Sequence, residues 1–274
     1  MKVQVPRPEG RDGGLKGLAI IYEDNHLIAV FKPAGILSQG DKTGDISMYD
    51  MVKDYIRIKK GKPSFFALGN ARPVRNSEGS QRKISNEVFL GLIHRLDRPV
   101  SGIILFAKTS KGASRLSEQF RNHQVEKTYH AIVLGKPEKE KGVFRHFLIK
   151  DEKLKKARKS EKGIEASLYY KIIKSNKKYS LLKIKIDTGK FHQIRAQLSL
   201  AGFPILGDLK YKGEKWDNHQ GIALCATNLV FKTATENPPL PVRQKANGMR
   251  ANKIISLKID LPKEWEEYIN ISHN

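Results

Sequence analysis

Cysteine is almost absent from the sequence: Cys225 is the one cysteine among 274 residues. A single cysteine excludes a disulfide within the chain and a zinc site built from several cysteines. The simplest interpretation is a buried thiol in the reducing cytoplasm. We therefore expect a cytoplasmic protein without a structural metal site.

Long apolar runs are missing as well. No segment approaches the ~20 consecutive apolar residues that a membrane-spanning helix needs. The first 17 residues contain no apolar core of the kind found in secretory signals, and neither end carries a lipidation signal. The sequence therefore predicts no membrane segment.

Acidic residues are scarce compared with basic ones. The chain contains 28 Asp and Glu against 51 Lys and Arg, a formal net charge of +23. Such an excess predicts attraction to a polyanion rather than any particular fold. Nucleic acid is the leading partner, and the anionic surface of a membrane is the weaker alternative. A carboxylate cluster that could bind Mg²⁺ is missing, which argues against a nuclease or a phosphoryl-transfer enzyme.

Strands outnumber helices in the pattern of the chain. Apolar runs at 18–22 and 27–31 flank a polar turn and predict a hairpin. Because strands and helices do not alternate as βαβ units, we expect an α+β fold: a single domain with a largely antiparallel mixed sheet and a few flanking helices. Further strands are predicted over 103–107, 127–135, 179–189, 222–231 and 254–260, and helices over 47–60, 110–122 and 191–202.

The expected domain covers residues 17–265, between an N-terminal tail at 1–16 and a C-terminal tail at 266–274. Residues 70–86 are polar, basic and without apolar periodicity, which predicts a flexible basic insertion. Residues 136–163 contain many lysines and little apolar sequence. We interpret them as a lysine-rich connector, either a solvated surface loop or a segment that contacts RNA.

A lone carboxylate stands in the stretch GLIHRLDRPVSGIILFAKT, residues 91–109. Asp97 lies between Arg95 and Arg98, whose positive charges would keep it ionised. An ionised carboxylate in a pocket can act as a nucleophile or a base. The Pro-Val-Ser-Gly turn beside a strand is a suitable place to hold it. The same residues could form a structural ion pair, and composition alone leaves both interpretations open.

Four segments, in chain order, resemble the RluA-type family of RNA pseudouridine synthases: YEDNHLIAVFKPAG, HRLDRPVSG, EKTYHAIVLG and TGKFHQIRAQLSLAGFPILGDLKY, within roughly residues 17–235. The resemblance implies the pseudouridine synthase fold and an enzyme that detaches uracil from ribose at N1, turns the base and rejoins it through C5. It implies no cofactor and no metal. The implied partner is structured RNA, either tRNA or rRNA, and no obligatory protein partner is evident, so we expect a monomer.

The resemblance also assigns roles to residues that match the family's motifs. Asp97 corresponds to the catalytic aspartate, Tyr129 to a tyrosine that stacks on the uracil, and Arg195 to an arginine that pairs with the aspartate. A carboxylate against the sugar can stabilise positive charge that develops at C1′ when the glycosidic bond breaks. Contacts to RNA or uridine are expected from His94, Arg95, Leu96, His192, Gln193 and Leu224, and structural support from Lys32, Pro33, Ser101 and Gly102.

The alternative from another functional class is an RNA-binding protein, such as an rRNA chaperone, that keeps the fold without the activity. It predicts a broken set of catalytic residues, whereas Asp97, Tyr129 and Arg195 are all present. Many relatives carry an additional N-terminal RNA-binding module of the S4 type. Because only about 16 residues precede the first predicted strand, we expect RNA recognition by the catalytic domain itself.

The charge excess predicts that electrostatics dominate the affinity for RNA. Each Lys or Arg that contacts a phosphate releases counterions, so the association constant for a target RNA should fall steeply as salt is added. Titration of the protein into labelled RNA at several salt concentrations measures the slope. An affinity that stays flat with salt would contradict the electrostatic argument.

Overall fold

The helices and strands follow one another along the chain without regular alternation. The structure, a computed structural model, describes residues 18–66, 88–217, 219–233 and 253–269. Its helices and strands are β1 (Ile20–Glu23), β2 (Leu27–Lys32), α1 (Met48–Lys59), β3 (Gly91–Leu92), β4 (Ser101–Ala107), α2 (Ser110–Arg121), β5 (Glu126–Leu134), β6 (Lys141–Asp151), β7 (Lys156–Lys159), β8 (Ile164–Ser175), β9 (Tyr179–Ile186), α3 (Gln193–Leu200), β10 (Leu224–Lys232), β11 (Ile254–Lys258) and α4 (Glu266–Ile269).

In the described residues the strands form one sheet, in the order β1-β2-β4-β10-β5-β9-β8-β6-β7, with β11 paired to β10 and β3 to β4. Strand β10 pairs in parallel with β4, and the other strand pairs are antiparallel. The expected α+β fold with a largely antiparallel mixed sheet is confirmed. No helix in these ranges is long and apolar enough to cross a membrane.

Helix α1 covers one face of the sheet at β2 and β4. It begins at Met48, one residue after the predicted start, and its N-cap Ser47 forms a capping box: the Ser47 side chain accepts from the Asp50 N–H, and the Asp50 carboxylate accepts from the Ser47 N–H at 3.0 Å. Met48, Val52 and Ile56 recur at helical spacing and are buried against the two strands. Every residue of β4 is buried, since α2 packs on the opposite face.

Helix α2 starts from a different cap than its sequence suggested. The segment 110–122 predicts Ser110 as the capping residue, but the N-cap is Thr109, whose Oγ1 accepts from the Gly112 N–H at 3.1 Å. Ser110 is the first helical residue instead. Two neighbouring hydroxyl residues satisfy the same sequence pattern, so the choice between them depends on how the strand before the helix ends.

The interpretation of residues 136–163 as a connector is wrong, because most of this segment forms strands. Strands β6 and β7 occupy most of this segment, and β6 pairs antiparallel with both β7 and β8. Alternate side chains of β6 lie on opposite faces: Phe144 stacks on Tyr170 with ring centroids 4.7 Å apart, while Phe147 is exposed. The sequence did not show this alternation clearly, because Leu148 is the one residue of β6 that is fully buried and the exposed positions of the strand include apolar residues such as Phe147.

The C-terminal boundary at 265 is also wrong. Residues 266–269 form α4, with Ile269 buried in the core and Tyr268 packed edge-on against Tyr179 at 5.5 Å between ring centroids. The domain therefore continues at least to residue 269. The predicted tail at 1–16, the insertion at 70–86 and residues 270–274 lie outside the described residues.

Gly102 lies where two central strands approach most closely. It pairs with Ala226 of β10, which pairs in turn with Tyr129 of β5. The φ angle of Gly102 is 126°, and a Cβ added there would lie 2.7 Å from the Ala226 Cα. This position therefore requires glycine, and glycine brings the start of β4 into line with Tyr129.

Gly102→Ala should lower the free energy of unfolding by about 2–4 kcal/mol, because the methyl group displaces the β10 backbone and the φ angle becomes strained. Denaturant titration measures the change. Gly61→Ala is the matched control: its φ is 71° and nothing lies within 4 Å of its added Cβ. That variant should lose about 1 kcal/mol from strain alone, and equal losses in the two variants would contradict the packing argument.

Candidate active site

The loop that carries Asp97 is fixed by hydrogen bonds on both sides of the carboxylate. The Val100 N–H donates to the Asp97 carbonyl at 3.0 Å and closes a turn. The buried Ser38 hydroxyl donates to the Leu96 carbonyl at 2.6 Å and accepts from the Leu96 N–H at 3.0 Å. Asp97 is therefore held on a rigid backbone at the start of β4.

Lys32, at the end of β2, ties that strand to the Asp97 loop. The residue is fully buried, and its Nζ donates to the carbonyls of Pro33, Arg98 and Val100 at 2.9, 3.1 and 2.7 Å. Three acceptors match the three N–H donors of an ammonium group. Burial lowers the pKa of Lys32 to about 7, and the negative charge of Asp97 opposes that shift.

Arg195 joins two carboxylates from separate segments. Its Nη1 donates to Oδ2 of Asp97 at 3.0 Å. Its Nε and Nη2 form a fork on Asp208, with distances of 2.7 Å to Oδ2 and 2.9 Å to Oδ1. Burial alone would lower the pKa of Arg195, but the hydrogen bonds and charges of Asp208 and Asp97 raise it. The guanidinium is therefore always charged and has a fixed orientation.

His192 contacts the same carboxylate from the start of α3. Its Nε2 lies 3.6 Å from Oδ2 of Asp97, and its Nδ1 lies 2.9 Å from the Tyr211 hydroxyl. Burial lowers the pKa of His192 to about 4 although the charge of Asp97 opposes the shift, so the ring is neutral at pH 7. The backbone of His192 is left-handed, with φ of 50°, a conformation that His adopts more readily than most side chains.

A cleft of about 580 Å³ opens beside Asp97, whose side chain is 29% exposed. Its rim is basic, with Arg95, Arg98 and Lys210 among the lining residues. Phe191 is partly exposed at the rim and stacks on His192, with ring centroids 3.8 Å apart. Cations around an exposed aromatic ring suit a ligand with phosphates and flat bases. Within the described part of the chain, no cluster of three His, Cys, Asp or Glu side chains could hold a metal ion.

Several predicted binding residues lie away from this cleft. His94 packs inward: its Nε2 accepts from the Leu105 N–H at 3.1 Å and its ring stacks on Phe120. Gln193 is buried and donates to the Ser167 carbonyl at 3.1 Å. Both side chains therefore make contacts within the protein, and the arrangement gives no support to direct RNA contacts. Arg95, Leu96 and His192 do line the cleft.

Tyr129 and Leu224 lie in the sheet next to the Asp97 loop. The strand register places both side chains on one face of β5 and β10, and Leu224 is 2% exposed. Burial, together with the charge of Asp97, raises the pKa of Tyr129, so its phenol stays protonated. Ser101 pairs with the buried Cys225, whose pKa burial raises to about 12, and the expected buried thiol is confirmed.

Asp208 and Tyr211 were missed as site residues in the sequence. Both stand in the segment GDLKY, which follows α3 and belongs to the fourth resembling stretch. The sequence contained a local signal for both residues: the fourth resembling stretch ends in a glycine, an aspartate, two further residues and a tyrosine, which are Gly207, Asp208 and Tyr211 here. Their contacts with Arg195 and His192 are tertiary and could not be obtained from spacing alone.

Asp208→Asn should lower the free energy of unfolding by about 2–4 kcal/mol, because the buried Arg195 charge loses half of its compensation. Urea titration measures the loss. Asp217→Asn is the control, since Asp217 forms a pair with Lys215 at 3.1 Å in which the side chains are 73% and 80% exposed; that pair contributes under about 1 kcal/mol. A similar small change in both variants would show that the fork on Asp208 does not stabilise the site.

Comparison with known proteins identifies the family of the chain. The profile of the family described as RNA pseudouridylate synthase matches residues 26–200. Ribosomal large subunit pseudouridine synthase C of Rickettsia bellii is 34% identical over 200 residues, covering 72% of this chain and 57% of that protein. Ribosomal large subunit pseudouridine synthase D of Borreliella burgdorferi is 32% identical over 198 residues, with 71% and 54% covered. The chain thus spans less than two thirds of these relatives' length.

Solved structures show the same architecture. The structure of human RNA Pseudouridylate Synthase Domain Containing 4 superposes with a TM-score of 0.62 at 22% identity, covering 90% of this chain and 89% of that one. At this identity the likeness establishes the fold, while the family profile covers more than half of the chain. As the resemblance to the RluA type predicted, the chain belongs to the RNA pseudouridylate synthase family.

Proposed function

We propose that the protein converts uridine to pseudouridine within structured RNA, with Asp97 as the catalytic carboxylate. The contact of Asp97 with Arg195 at 3.0 Å carries the proposal. It joins residues 98 positions apart and places a guanidinium on one oxygen of a carboxylate that lines an open cleft. A structural ion pair would not need this exposure to the cleft, and family membership supports chemistry at the same aspartate.

The contacts of Asp97 distinguish its two oxygens. Arg195 and His192 both approach Oδ2, and among the described residues no hydrogen bond or ion pair reaches Oδ1. We infer that Oδ1 faces the sugar of the bound uridine. There it stabilises the positive charge that develops at C1′ as the N1–C1′ bond breaks, either by its field, by a covalent bond or by removing a neighbouring proton.

The remaining steps conserve every atom of the nucleotide. The detached base turns, C5 bonds to C1′, the C5 proton leaves and N1 takes up a proton. We assign the stacking of the uracil to Tyr129 because it matches the family's motif; the residue is 9% exposed and lies in the sheet next to the Asp97 loop. Because substrate and product are isomers, the reaction consumes no cofactor.

The rim of the cleft supports a folded RNA as the substrate. Arg95 is exposed, and within the described ranges its side chain has no partner. A planar guanidinium there can fill the space that a flipped uridine leaves in the RNA stack. The relatives' names specify the large ribosomal subunit, so we place rRNA ahead of tRNA as the target, acted on by a monomer in the cytoplasm.

Asp97→Asn should abolish the reaction while leaving RNA binding. With RNA carrying tritium at C5 of uridine, isomerisation releases tritium to water, and the variant should lower this rate at least roughly 10³-fold. Asp217→Asn serves as the control with unchanged rate, because it removes an exposed carboxylate outside the cleft. Affinity for the same RNA, measured by titration, should stay within about two-fold in both variants.

The same variants can be tested in cells that lack the protein. Restoring the natural chain should restore a pseudouridine at a defined rRNA or tRNA position, and Asp97→Asn should not. If no site disappears in the deleted strain although the protein binds RNA, the non-catalytic RNA-binding alternative holds. If Asp97→Asn restores the modification, the catalytic assignment of Asp97 is wrong.

A further inference from the structure

One aromatic residue contacts both side chains that approach the Asp97 carboxylate. The Tyr211 ring centroid lies 5.1 Å from the guanidinium carbon of Arg195, and the Tyr211 hydroxyl lies 2.9 Å from Nδ1 of His192. Arg195 and His192 in turn both approach Oδ2 of Asp97. Tyr211 is buried, so its position is fixed by the surrounding core.

The hydrogen bonds of the Tyr211 hydroxyl have a definite direction. The Ala157 N–H of β7 donates to the hydroxyl oxygen at 2.7 Å. The hydroxyl then has its own proton to donate, and a buried donor needs an acceptor. In the described part of the chain, the remaining group at hydrogen-bonding distance is Nδ1 of His192. Tyr211 therefore donates to Nδ1, which must be the bare nitrogen of the ring.

We propose that Tyr211 is a positioning residue that holds His192 in one tautomer, with its proton on Nε2 and directed at Oδ2 of Asp97. The effect of Tyr211 on catalysis rests on the proposed function. The position of the proton on the His192 ring does not depend on that function. The Ala157 N–H contributes as well: its hydrogen bond to the Tyr211 oxygen leaves the hydroxyl proton to be donated to Nδ1 of His192.

The opposite tautomer would disturb the reacting carboxylate. A bare Nε2 would direct a lone pair at the negative Oδ2 from 3.6 Å, and the two groups would repel each other. Oδ2 would keep its hydrogen bond from Arg195 at 3.0 Å but would face a repelling nitrogen, which favours rotation of the carboxylate about its χ2 angle. Stacking on Phe191 fixes the plane of the His192 ring but cannot choose between its nitrogens. The hydroxyl of Tyr211 supplies that choice.

Nuclear magnetic resonance of the natural protein tests the tautomer directly. In protein labelled with ¹⁵N-histidine, long-range ¹H–¹⁵N spectra distinguish protonated from bare ring nitrogens. His192→Asn assigns the signals, because Asn also tolerates a left-handed backbone. At pH 7 we expect a protonated Nε2 and a bare Nδ1. A proton on Nδ1, or on both nitrogens, would overturn the proposal whether or not any variant folds and whether or not the protein modifies RNA.

Tyr211→Phe tests the catalytic consequence. It should lower kcat for pseudouridine formation roughly ten-fold, since a misplaced reacting group slows the step without loosening substrate. KM should stay within about two-fold. Tyr49→Phe is the matched control: the Tyr49 hydroxyl, on α1, is part-buried and donates one hydrogen bond, to the Leu90 carbonyl at 3.1 Å, away from the Asp97 site. It should leave both constants unchanged.

The double variant of Tyr211 and His192 distinguishes a positioning role of Tyr211 from a general loss of stability. In the His192→Asn background no imidazole remains to be oriented, so adding Tyr211→Phe should not lower kcat further. A second ten-fold loss in that background, or an equal loss from Tyr49→Phe, would overturn the positioning role. An unchanged kcat in Tyr211→Phe would also overturn it. If the natural protein forms no pseudouridine at all, the proposed function fails, and the spectra still decide the tautomer.

Discussion

A single buried guanidinium organises the site. Arg195 donates a hydrogen bond to Asp97 from one nitrogen and a bidentate pair of hydrogen bonds to Asp208 from the other two. Three segments must meet for this to happen: the turn before β4, helix α3 and the loop that follows it. Removing a charge from water is costly, so the arrangement is stable only when each partner is in place. The tertiary fold and the orientation of the Asp97 carboxylate therefore depend on the same contact.

The sheet supplies the rigidity that such a contact needs. Lys32 binds three carbonyls around the Asp97 turn, and Gly102 lets β4 approach β10 closely enough to align with Tyr129. Neither residue touches the cleft with a reactive group. Their contribution is to fix the positions of the Asp97 carboxylate and the Tyr129 ring. Groups held in fixed positions can stabilise charge at a reacting centre without first having to reorient.

Local patterns in the sequence predicted local structure well. The helix predicted over 47–60 and the strand predicted over 179–189 depend on neighbours a few residues away, and both are present as α1 and β9. Family motifs identified Asp97 and Arg195 as a pair, which the geometry shows. What failed depended on distant partners: the fork of Arg195 on Asp208 is tertiary, and β6 and β7 pair with each other and with β8 although they contain few fully buried residues.

The position of charge in the molecule resolves an apparent conflict. In the proposed reaction the carboxylate of Asp97 would repel the phosphates of an RNA chain, yet the RNA must come to it. Arg195 cancels part of the negative charge of Asp97 and Asp208 inside the protein, where the low dielectric makes compensation effective. Arg95 and other cations line the rim of the cleft, where they can meet phosphates. The basic excess of the chain can thus bind RNA without neutralising Oδ1, because binding and chemistry draw on different cations placed at different depths.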